Sequence, residues 1–111
     1  MALAMSLLDC AERCERVLDA LHASSDAWAD RELKSTIILA IAAMQVAATS
    51  AILDGEAGAD ALRLVIRSAR EAREALDRRD LDRDLIRHCA TCCERATDLC
   101  VAALAASHGP A

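Results

Sequence analysis

The sequence predicts an all-α protein: one domain, residues 1–111, folded as an antiparallel up-down-up-down four-helix bundle. Three observations predict it. Hydrophobic residues make up 55% of the chain, yet there is no Phe, no Tyr and one Trp. The apolar content is mostly Ala and Leu with some Ile and Val, a mixture that favours helix over sheet. Three Gly and one Pro leave few breakers, so the elements must be long and the turns few.

The first helix is expected over about residues 3–23. Leu3, Leu7, Cys10, Cys14, Val17, Leu18 and Leu21 recur mostly at steps of three and four. Asp9, Glu12, Arg13, Glu15, Arg16 and Asp19 fill the opposite side, which is the pattern of a helix with one buried face. The opening MALAMSLLDC has no basic stretch and is amphipathic from the start. It is expected to be helix and not a secretory leader, with the cytoplasm as the compartment. HASSDAWAD forms the first connection, with Ser25 or Asp30 as N-cap of the second helix.

The second helix is expected from about Arg31 to Leu53. It carries no charge between Lys34 and Asp54 and is apolar nearly all round. Such a helix is central in a larger core or spans a membrane. Thr36, Gln45, Thr49, Ser50 and the many Ala residues argue against the membrane. The surplus apolar face is expected to pack against a second copy of the chain, giving a homo-oligomer. Asp54-Gly55 ends this helix and EAGAD turns the chain.

The third helix is expected over about residues 59–78, with Leu62, Val65, Ile66, Ala69, Ala72 and Leu76 inside. Arg67–Glu71 and Arg70–Glu74 are spaced for i,i+4 ion pairs on its outer side. Arg78-Arg79-Asp80 connects to the fourth helix, about residues 81–106, with Asp80 as N-cap. Short connections make sequential helices antiparallel neighbours.

A net charge of −5 speaks against nucleic acid, because an anionic chain gains little from releasing the counterions of a phosphate backbone. Twelve of the thirteen basic residues are Arg, but they alternate with Asp and Glu as solvated helix faces do. There is no P-loop, no G-x-G-x-x-G, no H-E-x-x-H and no Glu-x-x-His di-iron pair. Glu12, Glu15 and Glu94 lie beside cysteines in sequence but face away from them, and no nucleophile–base pair is visible. The chain is not expected to be an enzyme.

The chemistry rests on six cysteines: Cys10, Cys14, Cys89, Cys92, Cys93 and Cys100. They sit within helical segments at spacings of mostly three, four and seven, not in loops as a disulfide framework would place them. Cys10 and Cys14 project about 40° apart around their helix, and Cys89, Cys93 and Cys100 fall within a similar arc, about 40°. The first and fourth helices are antiparallel neighbours, so the two sets are expected to converge in one cluster of four to six thiols. With Cys14 level with Cys93, Cys10 comes level with Thr97.

Soft thiolates select Cu(I), Zn(II) or iron–sulfur clusters. Two thiolates at i and i+4 suit the near-linear coordination of Cu(I). Zn(II) prefers four ligands from loop knuckles, and a cubane needs four cysteines around one point, for which Cys10, Cys14, Cys93 and Cys100 are the candidates. Cys89-x-x-Cys92 also matches a redox dithiol, although it lies well inside its helix. Free cysteine is among the most buried residue types, so metal-free core packing is a third reading.

LLDCAERCERVLDAL, IAAMQVAATSAILDG and LIRHCATCCERATDLCVAAL together resemble the cysteine-rich four-helix-bundle copper storage proteins of bacteria. The resemblance extends over nearly the whole chain. In that family C-x3-C pairs on all four helices line the bundle and bind many Cu(I) ions, and the subunits form tetramers. The resemblance makes Cys10 and Cys14 one such pair, Cys89 and Cys93 another, and Cys100 a further ligand. The second and third helices here have no cysteine and carry Ala at positions such as Ala69 and Ala72. It therefore implies a small site, one to a few Cu(I) or one iron–sulfur cluster, and not bulk storage.

Other residues have simpler expected roles. His88 is solvated or an outer ligand beside Cys89. Met5 and Met44 fill the core and are secondary thioether candidates. His22 and His108 lie near helix ends. Trp28 lids one end of the bundle or packs at an interface.

Overall fold

A computed structural model describes residues 2–22, 31–78 and 84–107. Its four helices are α1 (Ala2–His22), α2 (Arg31–Asp54), α3 (Ala59–Asp77) and α4 (Asp84–Ser107). The first three match the expected spans to within a residue or two. The expected start of α4 at 81, the caps Ser25, Asp30 and Asp80, and Trp28 and His108 lie outside the described residues.

Each helix packs on two neighbours, in the ring α1–α2–α3–α4 and back to α1. Pairs across each interface run in opposite senses along the two chains. Glu15 of α1 meets Gln45 of α2, and Glu32 near the start of α2 meets Arg78 just after α3. Arg73 of α3 meets Glu94 of α4. Leu3 and Ala4, at the start of α1, border one cleft with Ala51 of α2, Leu62 of α3 and Ala103 and Ala106 of α4. These pairings give the antiparallel up-down-up-down arrangement that the short connections require.

The core follows the sequence periodicity. α1 buries Ala4, Leu7, Cys10, Ala11, Cys14, Val17 and Leu21, while Arg13–Asp9 and Arg16–Glu12 form i,i+4 pairs outside. α3 buries Leu62, Val65, Ser68, Ala69, Ala72, Ala75 and Leu76, and the expected Arg67–Glu71 pair forms on its outer side. Ile66, expected inside, is half-buried at the edge of that stripe. Gly55 ends α2 in the left-handed region at φ 83°, where a glycine carries no Cβ penalty.

α2 buries Leu33, Ile37, Ala40, Ile41, Ala43, Met44, Ala47, Ala48 and Ala51. Its other side stays apolar and exposed through Ile38, Leu39, Val46, Ile52 and Leu53. By length and composition this helix is able to cross a membrane, yet 44% of its most apolar window is buried within the bundle. Met44 fills the core as expected. Met5 does not: it is 65% exposed, because its position faces away from the Ala4–Leu7 stripe.

The interior is unusual in its side-chain sizes. Large aliphatics such as Leu7, Val17, Leu33, Ile37, Val65 and Leu76 are interleaved with Ala and Cys, and no aromatic ring is among the described buried residues. Small residues let helix backbones approach closely, and here they bring α1 and α4 near enough for sulfur to meet sulfur. Ile37 is fully buried. Ile37→Ala is expected to destabilise the bundle by about 3 kcal/mol, through lost transfer energy and an unfilled cavity, as read by chemical denaturation.

Candidate metal centre

All six cysteines are buried and free, as the helical spacing requires. The sulfurs of Cys14, Cys89 and Cys93 all lie within 4.8 Å of one another. Cys14 comes from α1. Cys89 and Cys93 are one turn apart on α4, so their side chains emerge on the same face and straddle Cys14. Cys89 Sγ donates to Cys14 Sγ at 3.5 Å. All three side chains are shut off from solvent.

A second contact lies beside this triad, where Cys10 of α1 is hydrogen-bonded to Cys92 of α4. Five of the six cysteine sulfurs on α1 and α4 thus divide into a triad and a pair. Each group joins the two helices. Neither is an intrahelical C-x3-C unit standing alone: Cys10 and Cys14 have different sulfur partners. Cys89 and Cys92 likewise have different sulfur partners.

The sulfur contacts do not follow the register that sets Cys14 level with Cys93 and Cys10 level with Thr97. Cys14 sits between Cys89 and Cys93, not level with Cys93 alone. Cys10 therefore meets Cys92 and not Thr97. Thr97 is buried and donates its hydroxyl to the Cys93 carbonyl at 2.9 Å, a local bond within α4. Cys100, two turns beyond Cys93, lies outside both groups. The candidate cubane set, Cys10, Cys14, Cys93 and Cys100, is not brought together among the described residues.

The thiols divide by protonation. Hydrogen bonds from Cys14 and Cys89 hold Cys93 down to about 4, with Arg73 adding a smaller attraction against the cost of burial. Cys89 is pushed up by its bonds to Cys14 and Cys93 and by burial. Cys14 is lowered by the bond from Cys89, but the bond to Cys93, burial and the Cys93 charge outweigh it and raise it to about 12. In the pair, the hydrogen bond between them raises Cys10 and lowers Cys92. Each group therefore has one sulfur whose pKa is lowered by hydrogen bonds from neighbours.

Cys100 is raised to about 11 by burial alone. Its raised pKa favours the folded state only while the unfolded thiol is also neutral. Stability is thus expected to be unaffected by Cys100 below about pH 9 and to fall as the pH rises towards 11. Thermal melts should show this alkaline loss, and Cys100→Ala should reduce it.

The polar rim was only partly legible. Arg13 of α1 holds Asp9 through Nε at 3.1 Å and meets His88 Nε2 of α4 through Nη1. His88 is exposed and stands at the rim, outside the triad. On the far side of α4, Arg73 donates to Glu94 at 2.7 Å, tying α3 to α4 beside Cys93. The expected outward placement of Glu12, Glu15 and Glu94 holds. Arg13 and Arg73 were missed as neighbours of the thiols because their arginines look like every other solvated arginine in the sequence.

A buried group of three sulfurs is compatible with holding a metal ion. Comparison with known proteins adds no family to this geometry: no protein-family model, no curated protein and no solved structure matches the chain.

Proposed function

We propose that the protein binds a soft metal ion, Cu(I), on the thiolates of Cys14, Cys89 and Cys93. One observation carries this reading: three buried sulfurs from two helices within 4.8 Å of one another. Thiolate is the donor that soft monovalent copper prefers, and Cu(I) is satisfied by two or three sulfurs without water. Zn(II) asks for four ligands and a cubane for four cysteines at one cluster, one more than the triad supplies. Cys10 and Cys92 offer two further sulfurs next to it. The resemblance of helix segments to copper storage proteins points the same way.

The test is anaerobic titration of the reduced protein with Cu(I) against a competing chelator, with elemental analysis and a visible spectrum of the purified protein. Copper bound without colour supports the proposal. Iron with a brown chromophore would replace it with an iron–sulfur electron carrier, and no uptake of either would leave a metal-free bundle.

Acid should weaken binding. Cys93 needs no deprotonation above about pH 4, but Cys14, raised to about 12, must give up its proton to bind as thiolate. Affinity is expected to rise about tenfold per pH unit for each proton displaced. Competition titrations at several pH values read that slope, and a flat profile would show that the bound sulfurs were already ionised.

We further infer that the exposed face of α2 pairs with a second copy of the chain in the cytoplasm. Leu39, Val46 and Leu53 repeat along that face at seven-residue steps with no charge between them, a self-complementary surface. Val46→Glu is expected to shift the mass seen by light scattering to that of the monomer. A wild-type protein that is already monomeric at high concentration would dispose of the idea.

A further inference from the structure

The triad has a property that separates it from most metal sites. It offers three sulfurs, it is dry, and it lies in an interior of Ala, Leu and Val side chains. Charge is costly to leave in such surroundings. Three thiolates around Cu(I) would leave two negative charges in excess, and three around a divalent ion would leave one. A trivalent centre with three thiolates leaves none.

From this geometry we infer that the Cys14–Cys89–Cys93 triad is also a site for trivalent arsenic, taken up as arsenous acid and held by three As–S bonds as a neutral complex. The inference rests on the reading of the triad as a ligand site and names a second class of ligand for it. Arsenic(III) forms three bonds in a pyramid and keeps a lone pair in the fourth direction, so it asks for no fourth donor. The donors here number three, and they come from both sides of one helix interface, so they surround a point and do not line a row.

The reaction balances without an oxidant or reductant. Arsenous acid, As(OH)3, meets three thiols. Three As–O bonds and three S–H bonds break, three As–S bonds form, and each thiol proton leaves on a hydroxide as water. Where one sulfur is already a thiolate, a proton from solvent completes the third water. Arsenic stays trivalent throughout. Arsenous acid is small and uncharged near neutral pH, so its passage between helices avoids the desolvation that a bare ion would incur.

The test is native mass spectrometry of the reduced, anaerobic wild-type protein with sodium arsenite, run beside a Cu(I) titration of the same preparation. One adduct per chain is expected, heavier by one arsenic less three hydrogens. Cys14→Ala, Cys89→Ala and Cys93→Ala, each checked for helical content, are expected to bind arsenite about 100-fold more weakly. Cys100→Ala is expected to bind it as the wild type does, because Cys100 lies outside the triad.

An adduct that has lost fewer than three hydrogens overturns the inference. So does a Cys100→Ala variant weakened as much as Cys14→Ala. Copper binding with no arsenic adduct overturns this inference and leaves the copper site standing. Failure of both ions to bind overturns the ligand site itself.

Discussion

Cys93→Ala is expected to weaken Cu(I) binding by about 100-fold or more while leaving the bundle folded. Cys93 is the sulfur to which both Cys14 and Cys89 are hydrogen-bonded, and the one held as thiolate at neutral pH. Its loss leaves two raised thiols on different helices with no charged partner. The structural cost is small, because a buried sulfur is replaced by a cavity of about one heavy atom, worth about 1 kcal/mol. Circular dichroism should therefore show an unchanged helical spectrum, while chelator competition shows the lost affinity. Cys100→Ala, equally buried, is the control: it removes the same atom from the same helix without touching the triad. Equal loss of copper in the two variants would refute the assignment of the site.

The second large effect is on stability. A ligand that binds only the folded state stabilises it in proportion to the logarithm of its free concentration over Kd, about 4 kcal/mol at 1,000-fold excess. For a domain of this size that corresponds to a rise in Tm of about 15 °C. The effect is concentrated by topology, since the ion joins residues 75 positions apart in sequence. Calorimetry of the reduced protein with and without Cu(I) should show the full shift in the wild type and at most about a third of it in Cys93→Ala at the same free Cu(I). A copper-bound protein melting at the temperature of the metal-free one would show that the unfolded chain binds the ion as tightly as the folded one.

Helix boundaries and buried faces were legible because periodicity and burial report the same thing. Leu62, Val65, Ala69, Ala72 and Leu76 read as a stripe in sequence and are a stripe in the core. Met5 misled because methionine is apolar wherever it stands, and only its angle to Ala4 and Leu7 shows that it faces out. The burial of all six cysteines was legible for the same reason as the stripe.

Which sulfurs meet was not legible. That depends on the axial offset of α1 against α4, which a pattern of angles around each helix does not contain. An axial shift of little more than one turn exchanges Thr97 for Cys92 opposite Cys10 and decides which cysteines group together. The offset is a matter of packing in the shared core, to which Leu7 and Val17 of α1 and Ala90 and Ala96 of α4 belong along with the cysteines. The rim contact of Arg13 with His88 depends on that same offset, and that of Arg73 with Glu94 on the offset of α3 against α4.

The triad draws one sulfur from the first helix and two from the last. During synthesis, a chain that has emerged only as far as α3 carries two thiols, and both lie on α1. No fragment short of α4 presents three. On the proposed function, metal acceptance waits on the emergence of α4, and a chain truncated before Cys89 would offer an ion only two of these thiols. The contact that closes the ring of helices is then also the proposed receptor, so occupancy would report that α4 has docked on α1.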